Sequence, residues 1–183
     1  VALPTAPTLQ QHPLELARSE YLYWHRCSAI TKGLSIMTSI HGRDPEQWQE
    51  LVSAAVTSLK RTARLGRSSN YTDLNREISA STGQPGFDFS SPEGRNAMGD
   101  LLGYVVEQTY NEHPEQKVML SALVMYLNEN KPGSGFYNLA ISMGLLPRDA
   151  SPETKEQFWI DQYNAALALY SSKKRRHPRR DNP

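Results

Sequence analysis

The sequence predicts a mainly helical protein with a small β-hairpin, that is, an α+β fold. Apolar residues recur at helical spacing along most of the chain. Three segments combine a capping residue, a proline and a glutamate, the order that favours the first turn of a helix: Asp44-Pro45-Glu46, Ser91-Pro92-Glu93 and Ser151-Pro152-Glu153. One apolar run, Val118–Leu127, is too short for a comfortable helix between its flanking breakers and predicts a buried strand.

Composition divides the 183 residues into an arm, a globular domain and a tail. Residues 1–12 are polar, contain prolines and lack periodicity, which predicts a flexible arm. Residues 13–170 hold enough periodic apolar sequence for a single domain with a core. Residues 171–183 are polar and basic, which predicts a disordered tail.

The first two predicted helices run from Leu14 to about Ile40 and from Asp44 to about Leu65, where Gly66 follows as a stop. The end of the second helix is cationic: Lys60, Arg61, Arg64 and Arg67. These charges complement the negative end of the helix dipole. The alternative is that they form a basic edge for phosphate.

The centre of the domain, Leu65–Leu139, begins with a short helix over residues 73–81 and a longer helix from Pro92. The strand Val118–Leu127 follows, and a Pro-Gly-rich turn leads to a return strand that begins at Phe136. Helix, helix, hairpin is the element order of a winged helix-turn-helix. The sequence therefore predicts a winged-helix-like centre flanked by N- and C-terminal helices.

The longer central helix carries the candidate DNA-reading residues. A recognition helix docks its first turns in the major groove. Here those turns contain Arg95, which suits guanine, and Asn96, which suits adenine, by bidentate geometry. The turn after the strand supplies Lys131 as a wing residue. Acidic residues on the same helix oppose a duplex along its distal half: Asp100, Glu107 and Glu112.

Glycines recur along this helix at Gly94, Gly99 and Gly103. Each costs about 1 kcal/mol relative to alanine in a helix interior. Their presence predicts close packing of another element against the helix, or alternatively a ligand that meets the backbone.

The last predicted helix carries an aromatic stripe: Phe158, Trp159, Tyr163 and Tyr170. Such a stripe is typical of a core face or a dimer face. It therefore raises the possibility of a protein partner or of self-association through this C-terminal helix.

Two short segments carry a resemblance to a known family. Asn70-Tyr71-Thr72-Asp73-Leu74 and, after a loop, Arg95-Asn96-Ala97-Met98-Gly99 resemble the DNA-binding half of alkylguanine-DNA alkyltransferases and their alkyltransferase-like relatives. The resemblance covers about Leu65–Leu139. It implies a winged helix in which Arg95 enters the base stack, with Tyr71 as a further DNA contact.

The chain departs from that family at two places. The order Tyr71-Thr72 is the reverse of the family's Thr-Tyr. Met119-Leu120-Ser121-Ala122 stands near the place where the family has Pro-Cys-His-Arg. Alkyl transfer to a cysteine is therefore not expected.

The tail is the sharpest electrostatic feature of the sequence. Six cations lie close together: Lys173, Lys174, Arg175, Arg176, Arg179 and Arg180. A block of this kind is a nucleic-acid arm or a solubilising tail. Without these six the rest of the chain sums to −5, against +1 for the whole, so the body is mildly acidic.

No catalytic or metal-binding pattern stands out. The five histidines have no metal-ligand spacing, and the single cysteine, Cys27, excludes an internal disulfide and a cysteine zinc cluster. Neither a bilayer-spanning run nor a signal peptide is present in the sequence. We expect no cofactor, no metal and no membrane, and a cytoplasmic, reducing location.

The sequence therefore predicts a non-catalytic nucleic-acid-binding protein, regulatory or accessory, with DNA as the expected ligand. The alternative is a protein-interaction module or homo-oligomeric adaptor without a nucleic-acid role. An enzyme whose groups lie far apart in sequence has no positive support. The predicted nucleic-acid contacts are Tyr71, Arg64, Arg67, Arg95, Asn96, Lys131 and the six tail cations.

Overall fold

A computed structural model of the protein describes residues 39–171, all of which belong to one compact unit. The predicted arm, nearly all of the helix predicted from Leu14 to Ile40, and the six tail cations lie outside the described residues.

The described residues form five α-helices, one 3₁₀ turn and two short strands. In chain order they are α1 (Pro45–Arg64), β1 (Ser69–Asn70), α2 (Tyr71–Thr82), α3 (Pro92–Glu112), the 3₁₀ turn (Leu120–Leu123), β2 (Val124–Met125), α4 (Ser134–Ser142) and α5 (Pro152–Tyr170). The predicted class, mainly α with a small β component, is confirmed.

The capping chemistry sets the helix starts that the sequence predicts. The Asp44 carboxylate accepts from the backbone N–H of Gln47, whose side chain bonds back to the Asp44 N–H and completes a capping box. Ser91 and Ser151 cap α3 and α5 through their hydroxyls. Each of these helices has a proline in its first turn, where no intrahelical donor is needed.

The core lies between α1, α2 and α3. One face of α1 is buried from Trp48 to Ala63, and α3 buries a wide stripe that includes Leu101, which is fully enclosed. Leu74 and Ile78, one helical turn apart, are the buried pair of α2. The apolar periodicity of these helices therefore gives the correct buried faces.

The predicted hairpin is not formed. Within Val118–Leu127 the chain makes a 3₁₀ turn and then only two strand residues. β2 pairs in parallel with β1, Ser69 opposite Val124 and Asn70 opposite Met125. The run is apolar at nearly every position, so its pattern could not distinguish a strand from a buried turn.

The predicted return strand is helical as well. Phe136 and Tyr137 lie in α4, which begins directly after Pro132-Gly133, with Gly133 as the N-cap. The winged-helix prediction therefore lacks its wing in the described part of the chain. Its first two helices, α2 and α3, are present in the predicted order.

The loop between α2 and α3 is tightly held. Gly83 ends α2 in the left-handed region with φ 71°. The Asn75 side chain makes two bonds to the backbone of Phe87: its Oδ1 accepts from the N–H at 2.8 Å, and its Nδ2 donates to the carbonyl at 2.9 Å. A Cβ on Gly94 would lie 2.0 Å from the carbonyl oxygen of Asp88.

Close packing therefore explains one of the three glycines of α3. Gly94 has the loop backbone against it, as the sequence predicts. A Cβ on Gly99 or Gly103 would meet no atom within 4 Å, apart from the helix's own nearby backbone.

The aromatic stripe of α5 packs on its own chain. The Trp159 indole Nε1 donates to the Ala122 carbonyl at 3.0 Å, and the Gln162 Oε1 accepts from the Met119 N–H at 2.7 Å. The ring of Phe158 contacts that of Phe136. Within the described part of the molecule the stripe is chiefly a core face. Self-association through α5 stays a prediction.

No helix in residues 39–171 combines the length and apolarity needed to cross a bilayer.

Candidate nucleic-acid interface

Arg95, the predicted base-reading residue, bonds to its own chain. Its Nη1 donates to the carbonyls of Phe89 at 2.7 Å and Ser90 at 3.1 Å, across the loop that precedes α3. The guanidinium remains exposed, yet part of its hydrogen-bonding capacity holds the loop. Asn96, the other candidate on this helix, is also exposed.

Carboxylates surround the start of α3. Hydrogen bonds from Ser90, with a smaller effect of Arg95, hold the pKa of the Asp88 carboxyl below its usual range. Asp88 and Glu93 line a groove of about 330 Å³ beside His41 and Arg43. These acids disfavour a phosphate at this end of the domain.

Arg43 also contacts other residues of its own chain. Its Nη2 donates to the Pro85 carbonyl at 2.6 Å, and its guanidinium lies 4.5 Å from the centre of the Phe87 ring. Beside it, the His41 ring contacts the Asp100 carboxylate at 2.7 Å. The basic side chains beside the start of α3 are therefore paired or packed locally.

Tyr71 and Lys131 lie together at the carboxyl ends of β1 and β2. The Tyr71 hydroxyl accepts a bond from the Gly133 N–H at 3.0 Å, and its ring centre is 5.2 Å from that of Tyr126. Burial raises the pKa of Tyr71. The Tyr126 N–H donates to the Lys131 carbonyl at 2.9 Å, which brings the exposed Lys131 beside the tyrosine pair.

Tyr126 is the residue of this group that sequence reasoning missed. It is 48% exposed, whereas Tyr71 behind it is mostly covered. The sequence assigns Tyr126 to the end of a buried strand. Its position two residues before the polar segment Asn128–Lys131 is the signal that could have identified it as a surface ring.

The cations at the end of α1 fall into two classes. Lys60 forms an ion pair with Glu112, and Arg61 forms one with Glu77 at 3.0 Å. Arg64 and Arg67 are exposed. In residues 39–171 neither of these two arginines has a carboxylate within ion-pair distance. We call Arg64 and Arg67 the basic edge.

The end of α5 lies beside the basic edge. The Lys60 ammonium is 5.6 Å from the centre of the Tyr170 ring. The His113 ring also packs against Tyr170, with the two ring centres 5.8 Å apart. Arg64 is close enough to influence the ionisation of Tyr170, which it favours. The chain enters the basic tail at Ser171, directly after this contact.

The buried hydroxyls of Tyr110 and Tyr170 should make the stability of the fold sensitive to alkali. Burial raises the pKa of each to about 12 from 10.0, and neither buried hydroxyl has a hydrogen-bond partner among the described residues. A raised folded-state pKa means that the unfolded chain loses the proton first. The contribution of these groups to stability is therefore complete below pH 10 and is lost as the pH rises through 12.

We expect the urea midpoint of unfolding to fall between pH 10 and pH 12. It should fall less steeply in a chain carrying Tyr110→Phe and Tyr170→Phe, which keep both rings and remove both hydroxyls. Urea titrations followed by circular dichroism at several pH values measure the midpoint for each chain. An equally steep fall in the double variant would contradict it.

The overall charge of the described residues is negative. Between residues 39 and 171 there are 11 Lys and Arg against 16 Asp and Glu. No group of three His, Cys, Asp or Glu in this range is arranged to hold a metal ion. Attraction for a polyanion must therefore come from a local cluster such as the basic edge.

The segment that the sequence resemblance would set near the alkyltransferase cysteine motif is enclosed. Met119, Leu120 and Ala122 are fully buried, and Ser121 is 4% exposed. No protein-family model, curated protein or solved structure matches this chain. The resemblance to alkylguanine-DNA alkyltransferases therefore stays a hypothesis drawn from the sequence.

Proposed function

We propose that this chain is a non-catalytic, accessory or regulatory protein that binds nucleic acid, with DNA as the expected ligand. It does so at the end of the domain where α1 and α5 both finish. The observation that carries the proposal is the contact of Tyr170 with Lys60, near Arg64. This contact places Tyr170, the last residue of α5, beside Lys60 and near Arg64, and in the sequence the first tail cation, Lys173, follows three residues later.

The physical basis is phosphate neutralisation. Arginines without a carboxylate partner can donate two parallel bonds to a phosphate, and the counterions released favour binding. The net negative charge of the domain confines this attraction to the basic edge and the tail. Lys131, in the loop between β2 and α4, adds a further cation.

The proposal differs from a winged-helix mode in the surface used. The start of α3 is a poor phosphate site because Arg95 donates to Phe89 and Ser90, and because Asp88 and Glu93 lie beside it. We therefore assign Arg95 chiefly to holding the loop and Asn96 to an exposed helix surface. A cytoplasmic, reducing setting fits the single Cys27.

The test is a titration of a labelled DNA duplex of about 20 base pairs, with binding measured by fluorescence anisotropy at several salt concentrations. The intact chain should bind, with an affinity that falls steeply as salt rises. Changing Arg64→Gln and Arg67→Gln should reduce the slope of log affinity against log salt by about two, since each phosphate contact contributes about 0.9. A chain ended at Ser172 should lose most of the remaining slope.

The matched control is Arg148→Gln with Lys155→Gln, which removes the same charge near the start of α5. Lys155 lies fifteen positions before Tyr170 on that helix, a distance of about 23 Å. The control should leave the slope unchanged. Equal effects of the two double variants would show that net charge alone matters and would reject the basic edge.

The second candidate is a homo-oligomeric adaptor without a nucleic-acid role. The observation that favours it is the exposure of Ile160, 38%, whereas the other large apolar side chains of α5 are partly buried. Sedimentation at micromolar concentration would show a dimer that Ile160→Glu dissociates. A monomer at all concentrations, with DNA binding intact, would reject this candidate.

A further inference from the structure

We infer that Tyr126 is a stacking platform for an unpaired nucleobase, so that the preferred ligand is single-stranded. This deepens the proposed function and rests on it. The basic edge and Lys131 would hold the backbone, and the tyrosine would hold a base that has left its stack.

The platform is supported from behind. Tyr126 packs against Tyr71 with ring centres 5.2 Å apart and planes inclined at 40°, while 48% of Tyr126 stays exposed. Tyr71 is fixed in turn by the bond from the Gly133 N–H to its hydroxyl. A ring held in one orientation loses little freedom when a base stacks on it, which favours binding.

The pair of rings continues the register of the two strands. Asn70 lies opposite Met125, so Tyr71 and Tyr126 are the residues that directly follow β1 and β2. Arg67 precedes β1 by two residues, and Lys131 is tied to Tyr126 through its carbonyl. A cation therefore lies close to each ring in the sequence, Arg67 four residues before Tyr71 and Lys131 five residues after Tyr126.

The surroundings fit a base better than a helix of a protein partner. The exposed apolar surface here is small, consisting of Tyr126 and the neighbouring Leu127, which is 68% exposed. The next four residues, Asn128–Lys131, are all polar and exposed. Glu129 is the one acid among them, and its N–H donates to the Tyr126 carbonyl at 3.4 Å. One ring with a cation beside it matches a single base and its phosphate.

The experiment compares two single strands of equal length and charge, an oligothymidylate and an abasic strand, by anisotropy with the intact chain. The base-bearing strand should bind about fivefold to a hundredfold more tightly. Tyr126→Ala should abolish this preference and leave the affinity for the abasic strand unchanged. Tyr126→Phe should keep the preference because the ring remains.

Leu127→Ala is the matched control, since it truncates an exposed apolar side chain at the adjacent position and should keep the preference. Thermal unfolding of each variant confirms that it folds. Equal binding of the two strands by the intact chain would reject the platform and leave phosphate binding standing. Binding of neither strand would reject both proposals. Loss of the preference in Leu127→Ala as well would indicate a general apolar surface and overturn the assignment to Tyr126.

Discussion

Gly94→Ala lowers the free energy of unfolding by about 3 kcal/mol, the upper range for an overpacked site. The new Cβ would lie 2.0 Å from the Asp88 carbonyl oxygen and 2.7 Å from its carbonyl carbon. Both are backbone atoms, so no side-chain rotation can relieve the contact. The loop cannot move away freely, because Asn75 and Arg95 both bond to its backbone.

Gly99→Ala is the matched control on the same helix. Its Cβ would meet no atom within 4 Å outside its immediate helical neighbours, and Gly99 is exposed. Alanine is favoured over glycine in a helix by about 1 kcal/mol, so this variant should be more stable than the parent. Urea unfolding at neutral pH measures the free energy of unfolding of both variants. Shifts of the same sign in the two variants would contradict the close contact at Gly94.

Asn75→Ala is expected to cost about 2 to 4 kcal/mol, because it leaves a backbone donor and a backbone acceptor without their partner. Both belong to Phe87, whose side chain is 7% exposed. Water can replace the lost bonds only by entering this packed region. Loss of the bonds should also loosen the loop against which Gly94 packs.

Two comparisons make the Asn75 result specific. Asn75→Asp keeps the acceptor for the Phe87 N–H but sets a carboxylate against the Phe87 carbonyl, so its loss should also be large. Asn96→Ala, at an exposed position of α3, should change stability by less than about 0.5 kcal/mol. The same urea titration measures all three. A loss at Asn75 no larger than that at Asn96 would contradict the role of the amide.

The helix starts were predictable because their cause is local. Asp44, Ser91 and Ser151 each satisfy free backbone N–H groups with their own side chains, and these bonds depend on a few adjacent residues. The stop at Gly66 is local as well, since a left-handed turn follows α1 there. The buried faces followed from apolar periodicity in the same way.

The strand pairing was not predictable because its cause is distant. Ser69 and Asn70 have no strand-forming character, and they pair only because Val124 and Met125 are brought alongside by the intervening helices. The segment after Lys131 was interpreted as a turn and return strand, although Gly133 instead caps α4. No local pattern separates these outcomes.

The candidate site was predicted in part. Tyr71 and Lys131 were singled out for unrelated reasons, a family resemblance and a wing, and the structure brings them together around Tyr126. Arg95 was expected to face a ligand, and its guanidinium bonds to Phe89 and Ser90 instead. Side-chain partners formed across a loop cannot be inferred from residue type alone.

The parallel pairing of β1 with β2 has a consequence for the order of assembly. Two parallel strands cannot be joined by a tight turn, and here the connection contains α2 and α3. The two strands can therefore pair only after both helices have been synthesised. Such nonlocal closure is slow compared with helix formation. During synthesis, a nascent chain that has emerged only as far as α3 has Arg67 but not yet the Tyr71–Tyr126 pair. The surface proposed for nucleic acid is thus completed late, once the second half of the domain has left the ribosome.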